Sequence, residues 1–202
     1  MGREIMKSGA RLVLSAVASL VATPVLAHPA IGAAHTAMAG LAHPFSGGDH
    51  LIAMLAVGLW AAMRGGRAVW MWPLSFLTAM VVGGALGALA TTPSPAVEPM
   101  IMASVLVLGL ALANAMRASL ATGAVLIAVF GLAHGAAHGL EFARADGFVG
   151  YAIGFTASTA ALHLLGLVAG LGLARSRHAQ LARWFGGGAV VWGLAALLAP
   201  AL

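Results

Sequence analysis

One stretch of the chain reads FVGYAIGFTASTAALHLLGLVAGLGLA, from Phe148 to Ala174, and is followed by Arg175. It contains no charged residue and a single histidine, His163. A helix needs roughly 17–25 mostly apolar residues to cross the hydrocarbon core of a bilayer. The stretch reaches that length, so it predicts a transmembrane helix and, with it, a membrane protein.

The rest of the chain repeats this pattern. Of its 202 residues, 61% are hydrophobic and 7% are charged, and the chain has no cysteine. Soluble domains carry about 25% charged residues. Apolar stretches begin near Gly47, Ala68, Val97, Ser119, Phe148 and Trp184. None of them alternates as barrel strands do. We therefore predict an all-α fold: a polytopic membrane helix bundle of about six transmembrane helices, in one domain over residues 28–202.

The N-terminal segment has the features of a secretory leader. Basic residues at Arg3, Lys7 and Arg11 precede an apolar run over residues 12–25. The run ends in a small-residue pattern that resembles a signal peptidase site at Ala27. We predict a cleavable signal peptide over residues 1–27; the alternative is an uncleaved first transmembrane helix. Because three basic residues leave with the leader, the net charge of +5 gives no support for nucleic-acid binding.

The arginines predict the orientation in the membrane. An outside mature N-terminus places the loops around Arg64, Arg117 and Arg175 in the cytoplasm and leaves Arg144 outside. This arrangement satisfies the positive-inside rule for nearly all of them. We expect a multi-pass protein of the bacterial inner (cytoplasmic) membrane. Glycines four residues apart predict close helix contacts within the lipid; they are Gly83/Gly87, Gly131/Gly135/Gly139, Gly150/Gly154 and Gly166/Gly170.

Two histidine motifs stand out against this apolar background. The first, HPFSGGDH, spans residues 43–50. Pro44 and the Gly47-Gly48 pair disfavour helix, so the motif should form an irregular segment that leads into the next helix. His43, Asp49 and His50 are then candidate metal ligands at the outer end of that helix. Asp49 has an alternative role as a cap at the helix N-terminus.

The second motif, HGAAHGLE, spans residues 134–141 and should end a helix on the same side of the membrane. His134, His138 and Glu141 follow each other at spacings of four and three, so they share one helical face. Imidazoles one turn apart can bind a single ion. Glu141 would complete the ligand set, orient a ligand or be solvated. Together the motifs predict a metal site of His43, Asp49, His50, His134, His138 and Glu141.

Other polar residues suggest a route for an ion. His163 lies in the middle of a predicted helix near Thr159, and Asn114 lies toward an inner helix end. These residues are candidates for a translocation path, although a buried histidine bonded to Thr159 or to a backbone carbonyl is equally compatible with the pattern. His28 and His35, in the outer N-terminal stretch, are candidates for ion collection.

Imidazole and carboxylate ligands without any thiolate suit nickel, cobalt, zinc or copper(II). We expect no permanently bound cofactor. A catalytic metal site with Glu141 as general base remains an alternative, but there is no HExxH arrangement and no soluble domain, so we expect no enzyme. A metal-binding scaffold or sensor without transport is a further alternative. No nucleotide-binding signature is present, so transport would depend on an ion or potential gradient or on a partner protein.

The first motif and the residues after it, Leu51-Ile52-Ala53-Met54 and Val57-Gly58-Leu59-Trp60, resemble the HPxxGxDH signature of the HupE/UreJ family of hydrogenase and urease accessory membrane proteins. The second motif is similar to that family's other histidine-rich motif, although many members carry a further histidine where this chain has Ala136. The resemblance extends over essentially the whole mature chain. It implies import of nickel into the cytoplasm for hydrogenase or urease assembly, with the maturation proteins of those enzymes as partners.

Overall fold

All regular elements in the part of the chain that the structure describes are helices. The structure is a computed structural model that describes residues 36–92, 94–142, 147–175 and 178–198, without the side chains of residues 140–142. In chain order the elements are α1 (Ala37–Ala42), a 3-10 turn (His43–Phe45), α2 (Gly48–Arg64), α3 (Ala68–Leu89), α4 (Val97–Ala113), α5 (Leu120–Phe142), α6 (Phe148–Ala174) and α7 (Gln180–Leu198). The predicted all-α membrane bundle is confirmed. The predicted signal peptide, His28 and His35 lie outside the described residues.

The number of membrane spans depends on one broken helix. Four helices, α3, α5, α6 and α7, are individually long and apolar enough to cross a membrane. A fifth span is formed if α1 and its 3-10 turn are joined with α2, from which they are bent by 82°. The remaining apolar helix, α4, has only 17 residues. The sequence predicted about six transmembrane helices. Among the described residues, the structure has four long helices, one bent pair and one shorter apolar helix.

The bend arises in the HPFSGGDH motif, where the sequence predicted an irregular segment. Pro44 lies inside the 3-10 turn, and Gly47 has extended backbone angles, with φ −110° and ψ 124°, immediately before α2. Ser46 closes the turn by donating hydrogen bonds from its backbone N–H and its hydroxyl to the His43 carbonyl oxygen, at 2.9 and 2.6 Å. The preceding helix α1 was not predicted. Because α1 packs against α6, His43 lies beside the start of α2.

Glycines determine how closely the helices approach. A Cβ at Gly83 or Gly135 would collide with a backbone carbonyl of the facing helix in the α3–α5 pair. The α2–α6 pair has the same relation at Gly58 and Gly166. Backbones can approach this closely only where side chains are absent. Apart from Gly150, which would make only an ordinary contact, the glycines that the sequence selected all lie at close helix contacts, with Gly154 facing α1 and Gly170 facing the Ala62 side chain.

The arginine-bearing loops meet at one end of the bundle. Arg64 Nε donates to the Ala118 carbonyl at 3.0 Å, and Arg183 Nε donates to the Ala113 carbonyl at 2.9 Å. Trp60 joins the same region through a hydrogen bond from Nε1 to the Met116 carbonyl at 2.9 Å. We call this the basic end. Because α2 runs from Asp49 to Arg64, the HPFSGGDH motif lies at the opposite end.

Candidate metal centre

Three buried histidines converge at the end of the bundle opposite the basic end. His43, on the 3-10 turn, His50, on α2, and His138, on α5, each offer one ring nitrogen, and these nitrogens lie within 4.8 Å of one another. The side chains are 8%, 3% and 8% exposed. His50 and His138 are 88 positions apart in sequence, so this centre is assembled by helix packing. We refer to these three residues as the outer centre, after the orientation that the sequence predicts.

Asp49 holds His50 in a defined orientation. The Nδ1 atom of His50 lies 2.8 Å from Asp49 Oδ1, and the backbone N–H of His50 donates to the same oxygen at 2.8 Å. An ionised carboxylate only accepts hydrogen bonds, so Nδ1 carries the proton. In the neutral ring the lone pair is then on Nε2, which points at His138. A carboxylate that orients a ligating histidine in this way is common around protein-bound metals.

The two glycines of the motif create the space for this arrangement. A Cβ on Gly47 would lie 2.7 Å from Asp49 Oδ1 and 3.2 Å from His50 Nδ1. A Cβ on Gly48 would lie 2.6 Å from the indole ring of Trp192 on α7. Larger residues at either position would therefore displace the carboxylate and imidazole or push α7 away. The glycines break the helix and also leave room for the site.

His134 adds a fourth imidazole, one turn before His138 on α5. Its Nδ1 atom lies 2.9 Å from the Phe130 carbonyl oxygen, which can only accept, so Nδ1 is protonated and Nε2 has the lone pair. The ring centroid is 5.0 Å from that of His50, and the side chain is completely buried. Within the described residues, His134 Nε2 has no hydrogen-bond partner. The Nε2 atom of His134 is therefore available as a ligand next to the outer centre.

Aromatic side chains of α6 cover the centre, and the sequence reading did not identify them. The Phe155 ring lies 4.7 Å from the His138 ring and 5.6 Å from the His43 ring, between centroids. Tyr151 lies 5.8 Å from His43. Tyr151, Phe155, Thr159 and His163 are spaced by four along an otherwise mostly aliphatic helix, which places them on one stripe. This spacing of four was the sequence pattern that could have predicted that one face of α6 contacts the site.

An apolar cleft of about 190 Å³ adjoins the outer centre between α3, α5 and α6. His138, Tyr151 and Thr156 are its only polar side chains among the described residues; the others include Met80, Phe148 and Phe155. Apolar surroundings keep water away from the imidazoles and strengthen electrostatic interactions within the centre.

The remaining predicted residues have different locations. The side chain of Glu141 lies outside the part of the chain that the structure describes. Asn114 is exposed at the end of α4, toward the basic end, and donates from Nδ2 to the Leu110 carbonyl at 2.9 Å. It is not brought to the histidines. Thr159 and His163 are buried in α6, and the His163 ring lies 5.0 Å from the ring of Phe76.

The arrangement is compatible with a divalent metal ion. The Nε2 atoms of His50 and His138 are 2.7 Å apart, a hydrogen-bonding distance. Two imidazole nitrogens on one tetrahedral ion, with bonds of about 2.0–2.1 Å, would be about 3.3 Å apart. The two nitrogens would have to move apart by about 0.6 Å to bind one ion. Imidazole ligands do not distinguish nickel from cobalt, zinc or copper(II).

Two sequence comparisons with known proteins found matches. The sequence model of the family described as HupE / UreJ protein matches residues 16–196. The chain is 41% identical over 182 residues to Protein HupE of Rhizobium leguminosarum bv. viciae, covering 88% of this chain and 93% of that protein. No solved structure matches the chain.

Proposed function

The chain belongs to the HupE/UreJ family, and we propose that it is a secondary transporter that imports a divalent metal ion, nickel in preference to cobalt, zinc or copper(II). The ion would serve the maturation of hydrogenase or urease, with the maturation proteins of those enzymes as partners in the cytoplasm. The observation that carries the proposal is the outer centre itself, where three imidazoles converge inside a membrane bundle and a carboxylate orients one of them.

The setting of the outer centre favours binding of a mobile ion. Ionisable residues within a membrane are rare and generally mark ion or substrate pathways. Here the imidazoles come from three separate elements, so the ligand distances can change when the helices move relative to one another. The family membership directs the choice toward nickel, since the ligand chemistry alone permits several metals.

The distribution of arginines supports an inward direction of transport. With the basic end in the cytoplasm, the outer centre faces the opposite side of the membrane, as the positive-inside rule requires. A membrane potential that is negative inside favours entry of a dication by about 4.6 kcal/mol per 100 mV, twice the value for a single charge. Beyond the outer centre, Thr159 and His163, both buried in α6, would continue the path, with Asn114 as a candidate near the basic end. Glu141 would serve as a further ligand beside the outer centre.

The test is uptake of radioactive nickel by nickel-starved cells that express the chain. We expect His138→Ala to abolish uptake while the protein still inserts into the membrane. His178→Ala is the matched control, because His178 is exposed near the basic end. Competition with excess cobalt, zinc and copper(II) identifies the preferred ion.

Normal uptake by the inserted His138→Ala protein would refute the assignment of the outer centre as the nickel-binding site. Nickel binding to the purified protein without net flux would instead indicate a metal-binding scaffold or sensor. Measuring binding and flux on the same preparation separates the two functions.

A further inference from the structure

Several buried polar atoms lie deeper in the bundle than the outer centre. Within the described residues, the Nε2 atom of His134, the Oγ1 atom of Thr159 and both ring nitrogens of His163 have no hydrogen-bond partner. The three side chains are at most 2% exposed. A buried polar group without a partner destabilises the folded protein. Such a concentration of unused polar atoms points to a ligand that binds there.

Thr159 and His163 are one turn apart on the same face of α6. They therefore offer a hydroxyl oxygen and an imidazole nitrogen to one position in the middle of the bundle. As metal ligands, a hydroxyl oxygen and an imidazole nitrogen suit the same divalent cations as the outer centre. We refer to Thr159 and His163 as the inner pair.

A single aromatic ring contacts both His134, which lies next to the outer centre, and His163 of the inner pair. The Phe76 ring on α3 lies 5.4 Å from the His134 ring and 5.0 Å from the His163 ring, between centroids, and the second contact is edge to face. Phe76 is completely buried. A phenyl ring supplies no metal ligand and excludes water, so it obstructs an ion that passes from His134 to His163.

The backbone of α3 is weakened one turn before Phe76. Pro73 lies inside the helix and cannot donate the hydrogen bond that its position would normally make. Ser75 also directs its hydroxyl to the Met71 carbonyl at 2.8 Å, an arrangement that often bends helices. Next to Phe76 itself, Gly131 lets α5 approach the Phe76 carbonyl so closely that a Cβ would collide with it. Phe76 therefore lies at the tight α3–α5 contact and directly after the turn at Pro73, where the helix bends easily.

We propose that Phe76 is a gate between the outer centre and a second ion position at the inner pair, and that the inner pair takes the same divalent cation. The proposal rests on the proposed transport function for its biological meaning. In the closed position the Phe76 ring separates His134 from His163. Its movement, permitted by the weakened turn at Pro73, lets the ion pass from His134 to His163.

The first test measures nickel flux into proteoliposomes at a fixed membrane potential, negative inside. Phe76→Leu and Phe76→Met both replace the ring by an aliphatic side chain of similar volume, and methionine is the more flexible of the two. We expect both variants to transport nickel about tenfold faster than the unaltered chain and to discriminate less against cobalt and zinc. That change corresponds to a barrier lowered by about 1.4 kcal/mol. Leu108→Ala is the control, because Leu108 is fully buried in α4 and packs in the same apolar core.

The second test detects the gate without relying on transport. The chain has no cysteine, so Thr159→Cys introduces a single thiol at the inner pair. We expect a positively charged methanethiosulfonate reagent added outside to modify this thiol about tenfold faster when Phe76→Leu is also present. Thr92→Cys, at an exposed loop position, should react at the same rate with or without Phe76→Leu.

The outcomes separate the gate from the transport function. Unchanged flux and unchanged modification at Thr159→Cys in the Phe76 variants would overturn the gate, as would failure of both variants to insert, which would make Phe76 a packing residue. Absence of nickel flux in the unaltered chain, together with faster modification in Phe76→Leu, would refute transport and support the gate.

Discussion

Replacing Asp49 by asparagine should weaken nickel binding by about tenfold. In the structure the carboxylate accepts hydrogen bonds from His50 Nδ1 and from the His50 backbone N–H, each at 2.8 Å. An asparagine oxygen can accept the same bonds, but without the charge. Hydrogen bonds to charged groups contribute about 1.5–3 kcal/mol and those between neutral groups about 0.5–1.5 kcal/mol. For the side-chain bond to His50 Nδ1 alone, the midpoints of these ranges differ by about 1.2 kcal/mol, which corresponds to nearly tenfold in the dissociation constant.

Asp49→Ala should have a larger effect, because it removes both hydrogen bonds and lets the His50 ring rotate. Loss of a residue that orients a metal ligand typically lowers metal affinity by about 10–100-fold. The alanine variant is therefore expected toward the upper part of that range. The order of affinities, unaltered chain, then asparagine, then alanine, tests the orienting role more sharply than either variant alone.

The assay is isothermal titration calorimetry of nickel into the protein purified in detergent micelles. Glu98→Gln is the matched control, because Glu98 is also an acidic residue in the first turn of a helix, and it is exposed. A carboxylate near a helix N-terminus stabilises the helix by about 0.3–1 kcal/mol, and this effect is common to both positions. Nickel affinity that is the same in the unaltered chain and Asp49→Ala would refute the orienting role. Equal weakening by Glu98→Gln would attribute the effect to helix stability.

Three further predictions concern other parts of the molecule. Gly135→Ala should lower the thermal unfolding temperature and nickel uptake together, because the added methyl group collides with the Met80 carbonyl and pushes α3 from α5; Gly172→Ala, where space is open, should leave both unchanged. Trp60→Phe should destabilise the protein by more than about 1 kcal/mol, measured by thermal unfolding, because it removes the hydrogen bond at the basic end and leaves a cavity at a buried position, with unchanged nickel affinity. His50→Ala should abolish nickel uptake in cells without loss of membrane insertion, and retained uptake would contradict the role of the outer centre.

The bend at the HPFSGGDH motif was only partly predictable from the sequence. Pro44 and Gly47 predict a break because their backbone preferences are local, and the break is observed. The size of the bend, 82°, depends on how α1 packs against α6, where Gly40 and Gly154 let the backbones meet. Whether α1 counts as part of a span was therefore not available from the run of apolar residues.

The sequence by itself determined the helical class of the fold and the candidate ligand types, although it did not predict α1. Long uncharged stretches require backbone hydrogen bonds to be satisfied within helices, and histidines spaced by four must share a helix face. Both are local properties. The tertiary structure decided which imidazoles share one centre, the position of Asp49 against His50 and the contact of Phe76 with two histidines. These features depend on the rotation and separation of helices distant in sequence, which glycine contacts such as Gly135 against Met80 determine.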